Sequence, residues 1–249
     1  MNRFRMHRQW GRRRYGFLTG IPLAYIFIAI NVAFFILQEG LKASGITGGS
    51  IYSADILIDL FARQNWAITQ DLQIWRLITP IFFHVGLMHL AANGLSLYFI
   101  GAPIEQLFGK KGFLWIYFVS GIAGNLFGFA FAPGPRTPSV GASGAIFGLL
   151  GALLYHAILL RKAGQNNRLL INVGFIFLLN LWIGLQPGSG IDNFAHAGGA
   201  IGGFLVAFWI AKTMYVRTWQ KKYGSMYFWW IWAMFVFLLI LGFSRILWQ

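Results

Sequence analysis

The sequence predicts an all-α polytopic membrane protein, and three observations carry that expectation. Charged residues make up 10% of the 249, against 57% hydrophobic, whereas soluble domains average about 25% charged. The few charges cluster and leave seven uncharged runs, each about the length a helix needs to cross a bilayer. Basic residues between the runs alternate in number from one connection to the next.

The runs are 20–38, 86–104, 112–132, 143–160, 169–186, 194–211 and 227–244. A net charge of +14 would suit a nucleic-acid binder, but its distribution points to a bilayer instead. The tail at 1–19 carries six arginines, and the connections after the second, fourth and sixth runs carry two, three and four basic residues. That places 15 of the 20 on one side and five (Lys42, Arg63, Arg76, Arg136 and Arg245) on the other. The positive-inside rule then sets the N-terminus in the cytoplasm and the C-terminus outside. The tail also has the look of a signal-peptide n-region, with small residues at 43–45, but the run behind it is longer than an ordinary h-region. With no cysteine in the chain, disulfides, thiolate metal sites and a cysteine nucleophile are excluded.

The run at 20–38 reads as a plain anchor. The outer segment at 39–85 begins loop-like and becomes amphipathic at ILIDLFARQNWAITQDLQIW. Ile56, Leu57, Leu60 and Phe61 follow helical spacing there, with Asp55, Asp59 and Arg63 on the other face. Its apolar content is too high for disorder, so it is expected in the membrane interface with Trp66 and Trp75 at headgroup level. The second run is followed by PIEQLFGKKG, which reads as a tight cytoplasmic turn. Pro133, Pro135 and Pro138 end the third helix and shape the approach to Ser143. Gly121, Gly124 and Gly128, with the pairs Gly198/Gly202 and Gly199/Gly203, suit close helix contacts. The fifth run lacks a tight small-residue face. The seventh is aromatic and reads as peripheral. No internal repeat is visible.

Few side chains within the runs can do proton chemistry, and intramembrane ionisable residues are rare and tend to mark function. The informative ones are His89, Asn93, Ser143 and His196. Each has a structural alternative, since Ser, Asn and His also hydrogen-bond helices together in lipid. No role is assigned to His7 or His156, and His84 is ambiguous. With the N-terminus inside, the second, fourth and sixth runs all enter from the outer side. All four residues fall in the first two turns of their runs, so they lie at similar depth. His89 and Asn93 are four apart and share a face.

Together these groups match the parts of an acyl-transfer site. A serine hydroxyl needs an adjacent base to act as nucleophile, and His196 can take its proton and return it to a leaving amine. Asn or His side chains and the free N–H groups of a helix start can stabilise an oxyanion. Asp192 lies four residues before His196 and is expected at the surface, which leaves a Ser–His dyad.

The residues now carry a family resemblance. Trp75-Arg76, His84-x4-His89-x3-Asn93, Glu105-x3-Gly109, Gly141-x-Ser143-Gly144 and Ala195-His196-x2-Gly199-x3-Gly203 occur in one order over about 51–211. This set resembles the rhomboid family of intramembrane serine proteases. The resemblance implies a six-transmembrane-helix rhomboid core at 20–211, preceded by the basic cytoplasmic tail at 1–19. A basic linker and one additional C-terminal transmembrane helix would follow at 212–249. It implies Ser143 as nucleophile and His196 as general base, with His89, Asn93 and the Ser143 N–H at the oxyanion. Gly141 and Gly144 support the site, Arg76 belongs to the structured outer loop, and Phe147 stands where an aromatic ring stacks on the imidazole. It implies an endopeptidase acting on transmembrane protein substrates near the outer membrane face, with access between the second and fifth runs. No metal, organic cofactor or nucleic-acid partner is implied. A bacterial plasma membrane fits the lack of a large soluble domain, with an organelle membrane as the alternative. Two other classes compete: a non-catalytic membrane-protein binder on the same fold, and a channel or transporter with a His/Ser-lined path. The first would lack the serine or the histidine. The second would show paired intramembrane charges or inverted repeats.

Overall fold

The computed structural model describes residues 20–50, 53–132, 138–215 and 217–246. The basic tail at 1–19, Pro133, Pro135 and Arg136 lie outside the described residues. Among the described residues the regular structure is helical apart from one small hairpin and an isolated bridge between Arg63 and Ser139. Helix α1 is Leu23–Ala43; β1 (Thr47–Ser50) and β2 (Ser53–Asp55) pair antiparallel, Thr47 opposite Asp55. Two short helices follow, α2 (Ile56–Phe61) and α3 (Asn65–Gln70), then two 3-10 turns at Ile74–Leu77 and Thr79–Phe82. The long elements are α4 (Leu87–Phe131), α5 (Ser143–Lys162), α6 (Arg168–Gly184), α7 (Asn193–Tyr215) and α8 (Arg217–Ile246).

Among the described residues, four helices are long and apolar enough to cross a membrane: α1, α4, α5 and α7. Helix α6 and the apolar run Trp229–Ser244 of α8 are shorter. Helical backbone satisfies its own N–H and C=O groups, which lipid demands.

Helix α4 joins two of the uncharged runs, and its backbone breaks at Gly109, where φ is 74°. Glycine takes that left-handed conformation without a Cβ penalty. The neighbours of α1 show what the break does. Ala24 meets Gly101 and Ile28 faces Gly94, so the first leg runs antiparallel to α1. Gly20 lies by Lys110 and Phe27 stacks on Tyr117 at 4.5 Å, so the second leg runs with α1. The chain therefore reverses at Gly109. The turn expected over PIEQLFGKKG is helical up to Phe108, because Ile104, Glu105 and Phe108 are buried there. Buried Glu105 also accepts the Leu23 N–H at 2.7 Å and so fastens the start of α1.

The main core lies between α1, both legs of α4, α5 and α7, with Phe27, Phe113, Ile116, Tyr117, Leu149 and Val206 at its centre. The seventh apolar run is less peripheral than its composition suggests. Phe235 and Leu238 of α8 are buried in a second cluster with Ile68, Leu126 and Phe129, and a Cβ on Gly242 would strike the Phe129 ring.

The outer segment differs most from its sequence reading. Its amphipathic helix stops at Phe61, capped by Asp55, whose carboxylate accepts the Leu57 and Ile58 N–H groups at 2.9 and 3.1 Å. Ile58 is buried and Leu60 exposed, while Asp55 and Arg63, expected on the outward face, are buried. Polar partners inside the fold outweigh the hydrophobic pattern: Gln38 Nε2 donates to Asp55 Oδ2 at 2.9 Å and to the His84 carbonyl at 3.0 Å.

Candidate active site

Ser143 is the first residue of α5, and His196 lies in the first turn of α7. The two helices approach at backbone distance because small residues line their seam. A Cβ on Gly199 would strike the Gly144 carbonyl oxygen, and one on Gly203 the Gly148 carbonyl. Gly124 of α4 closes the third side, where a Cβ would stand 2.6 Å from the Ala195 carbonyl. Only glycine allows this approach.

This packing brings His196 Nε2 to 2.9 Å from Ser143 Oγ, a hydrogen bond. The Phe147 ring, one turn after Ser143, stacks on the imidazole with centroids 4.0 Å apart and planes at 13°. Phe147 also meets Phe177 of α6 edge-on at 5.8 Å. His196 Nδ1 is buried without a hydrogen-bond partner among the described residues. Helix α5 presents free N–H groups at Ser143, because the first four of any helix lack intrahelical acceptors.

Gly141 places two more of the expected residues. Its φ of 126° is left-handed, and its N–H donates to the Pro80 carbonyl at 2.9 Å. A Cβ there would stand 2.7 Å from His89 Nε2 and 3.7 Å from Asn93 Nδ2. His89 and Asn93 thus border the space that Gly141 leaves open, two residues before Ser143. Asn93 Nδ2 also donates to the His89 carbonyl at 3.0 Å, one turn back on the same face. His84 lies behind His89, edge-on at 5.1 Å and fully buried. Burial pushes the His84 imidazole down to about 3, with His89 adding to the fall. All six expected site residues, Ser143, His196, His89, Asn93, Gly141 and Gly144, fall in this one region.

Sequence reasoning missed the polar contacts that tie the outer segment to the site. Asp192 does not sit free at the surface. Its Oδ2 lies 2.8 Å from Arg63 Nη2 and accepts the Ser139 hydroxyl at 3.0 Å, while Oδ1 accepts the Ala195 N–H at 2.9 Å. Burial alone would raise its pKa. Arg63, with the Ala195 N–H and the Ser139 hydroxyl, outweighs burial and holds it below the ordinary carboxylate value. Arg76, expected in the outer loop, is buried there and donates from Nη1 to the Ala62 carbonyl at 2.8 Å. Trp75 donates from Nε1 to the Leu60 carbonyl at 3.2 Å. The sequence signal for Asp192 was its rarity as one of six acids in the chain.

Comparison with known proteins gives these features a family. The rhomboid domain model matches residues 71–213, more than half the chain. Rhomboid protease GluP of Bacillus subtilis (strain 168) is 43% identical over 192 residues, which are 77% of this chain and 35% of GluP. RHOMBOID-like protein 1 of Arabidopsis thaliana is 43% identical over 137 residues, 55% of this chain and 34% of that protein. Inactive RHOMBOID-like protein 8 of Arabidopsis thaliana is 42% identical over 140 residues, 55% and 38% of the two chains. This chain belongs to the rhomboid family and is an integral, multi-pass membrane protein. It spans about a third of the length of these three relatives.

Proposed function

We propose that this chain is an intramembrane serine endopeptidase that cleaves transmembrane-segment substrates near the outer membrane face through a Ser–His dyad. The observation that carries the reading is the 2.9 Å contact between His196 Nε2 and Ser143 Oγ beneath the stacked Phe147 ring. Identity alone would not carry it, since a relative 42% identical over its matched region is named as inactive.

The chemistry follows from the groups present. Neutral His196 takes the Ser143 hydroxyl proton on Nε2 as Oγ forms a bond to the substrate carbonyl carbon. The carbonyl π pair moves onto oxygen, and the oxyanion is met by the Ser143 N–H with His89 and Asn93 donors. The pair returns, the C–N bond breaks, and His196 hands its proton to the leaving amine. Water, deprotonated by the same imidazole, then attacks the acyl-enzyme; the C–Oγ bond breaks, Ser143 Oγ takes the proton back from His196, and the new carboxylic acid leaves and ionises in water. Phe147 holds the ring plane so that Nε2 points at Oγ in each step. The same reading places six spanning helices around the dyad, with α8 as a seventh, the N-terminus in the cytoplasm and the C-terminus outside.

The test uses purified wild type, Ser143→Ala and His196→Ala in liposomes. Each is given a single-span substrate with helix-breaking residues near its outer end, and each is treated with a serine-directed fluorophosphonate. Wild type should cleave and label at Ser143, and each variant should lose about 10⁴-fold or more in rate. Equal cleavage by all three would sink the assignment.

A further inference from the structure

We propose that the Arg63–Asp192 pair is a clamp that sets the register of Ser143 against His196, so that both are positioning residues for the dyad; this rests on the hydrolase reading above. Three segments converge on the Asp192 carboxylate, and α4 packs against the guanidinium that faces it. Arg63 comes from the outer segment, with a side chain only 3% exposed against 17% for Asp192. Its guanidinium lies over Gly128 of α4, where a Cβ would collide with Nη1. Ser139 comes from the segment leading to Ser143, four residues before it. Asp192 itself precedes α7, and its Oδ1 caps the helix through the Ala195 N–H. Its carbonyl oxygen accepts the His196 N–H at 3.0 Å.

The backbones are coupled as well as the side chains. Arg63 and Ser139 exchange both N–H···O bonds, at 2.9 and 3.0 Å, in an isolated antiparallel bridge. One carboxylate therefore holds the approach to the nucleophile and the first turn of the base's helix to a common anchor, the Arg63 guanidinium packed against Gly128.

A purely stabilising role explains the pair poorly. Arg63 Nε and Nη1 are buried without hydrogen-bond partners among the described residues. Desolvating an incompletely satisfied ion pair is costly, and apolar replacements of such pairs are often neutral or stabilising. What an ion pair offers beyond an apolar contact is a fixed direction, and the best attested use of buried pairs is to fix register. Acyl transfer needs that precision, because a displacement of about 1 Å can cost about 100-fold.

The experiment compares wild type, Asp192→Asn, Arg63→Lys and Ser139→Ala in the same liposomes, at a temperature where melting curves show each folded. Two quantities are read: the rate of Ser143 labelling by the fluorophosphonate, and kcat and KM for the single-span substrate. Asp192→Asn should slow labelling and lower kcat by about 10- to 100-fold, with KM within about two-fold. Arg63→Lys, which keeps the charge and loses the fork, should recover part of the loss. Ser139→Ala should slow labelling about three-fold at an unchanged melting temperature. If Asp192→Asn does not fold, Ser139→Ala and Arg63→Lys decide alone. Labelling and kcat within two-fold of wild type in the folded variants would overturn the clamp while leaving the hydrolase reading intact. Wild type that neither labels nor cleaves would overturn the hydrolase reading, and the clamp's role in positioning would fall with it.

Discussion

Ser143 and His196 stand between two unlike walls. On one side the second leg of α4, α5 and α7 meet backbone to backbone, with Gly199 on the Gly144 carbonyl and Gly151 on the Ala200 carbonyl. On the other side α6 reaches the site through side chains. Of its residues only Val173 is buried, and Phe177 touches Phe147 edge-on. Ile171, Phe175, Leu178 and Trp182 of α6 are exposed. The difference teaches where precision resides. Helices in lipid gain little from hydrophobic burial against one another and associate through close packing. The glycine seam therefore fixes the distance between Ser143 and His196, and α6 closes the site without fixing it.

The harshest way to break this contrast is to add carbon to the seam. Gly199→Leu would drive its Cβ into the Gly144 carbonyl, backbone that cannot rotate away. Overpacking of this kind costs about 3 kcal/mol at the top of its ordinary range, and here the α5–α7 distance must change too. Thermal melting in detergent should show a large loss of stability together with loss of phosphonate labelling. A folded Gly199→Leu protein that labels normally would show that the seam does not set the dyad.

A gentler substitution separates stability from chemistry. Gly141→Ala places a methyl 2.7 Å from His89 Nε2 at a φ of 126°. Backbone strain of that kind costs about 1–3 kcal/mol, so the protein should still fold. Its Cβ would fill the space bordered by His89 and Asn93, and losing one oxyanion donor costs about 10²–10³ in rate. kcat should fall by that order while the melting temperature drops modestly. A fall in stability with kcat intact would remove His89 and Asn93 from the proposed oxyanion role.

The seam was legible in the sequence and the clamp was not, for a physical reason. Close helix packing leaves a local signature, glycines at spacing four, and the residues of the proposed dyad are polar where polarity is expensive. Ser143, His196, His89 and Asn93 stood out for that cause. Arg63 and Asp192 lie outside the apolar runs, where a charge needs no explanation. Only the fold shows that segments 129 residues apart meet. The outer segment misled in the same way. Its apolar periodicity suggested a helix with Arg63 facing out, yet Gln38 of α1 holds Asp55 inward and Asp192, just before α7, holds Arg63. The continuous helix through Pro103 to Phe108 was hidden because lysines at 110 and 111 read as the turn itself, whereas Gly109 makes it.

The clamp gives the contrast a pH signature. Arg63 from the outer segment, Ser139 and, one turn on, His196 face the Asp192 carboxylate. Its folded pKa lies below the ordinary value of 3.8, so the ionised form favours the folded state. That contribution is complete above about pH 5 and is lost as pH falls through the depressed folded value. Melting temperature of wild type should decline below about pH 4, and the difference between wild type and Asp192→Asn should shrink over the same range. A difference that stays constant down to pH 2 would mean that the carboxylate is not held ionised by Arg63.

The smallest effect belongs to the loose wall. Phe177→Leu keeps most of the apolar bulk of α6 and removes only the edge-on contact with Phe147 at 5.8 Å. Such aromatic pairs contribute about 0.5–1.5 kcal/mol beyond their burial, and half-buried Phe177 should fall at the low end. The stack of Phe147 on His196 is untouched, since it is made within the α5–α7 side. The labelling rate of Ser143 by a small fluorophosphonate should therefore stay within about three-fold of wild type. Phe147→Leu, which removes the ring on His196 itself, should slow that labelling more than Phe177→Leu does. If the two variants slow it equally, α6 would have to act on the imidazole through Phe147, and the division into a fixed seam and a closing wall would fail at that ring.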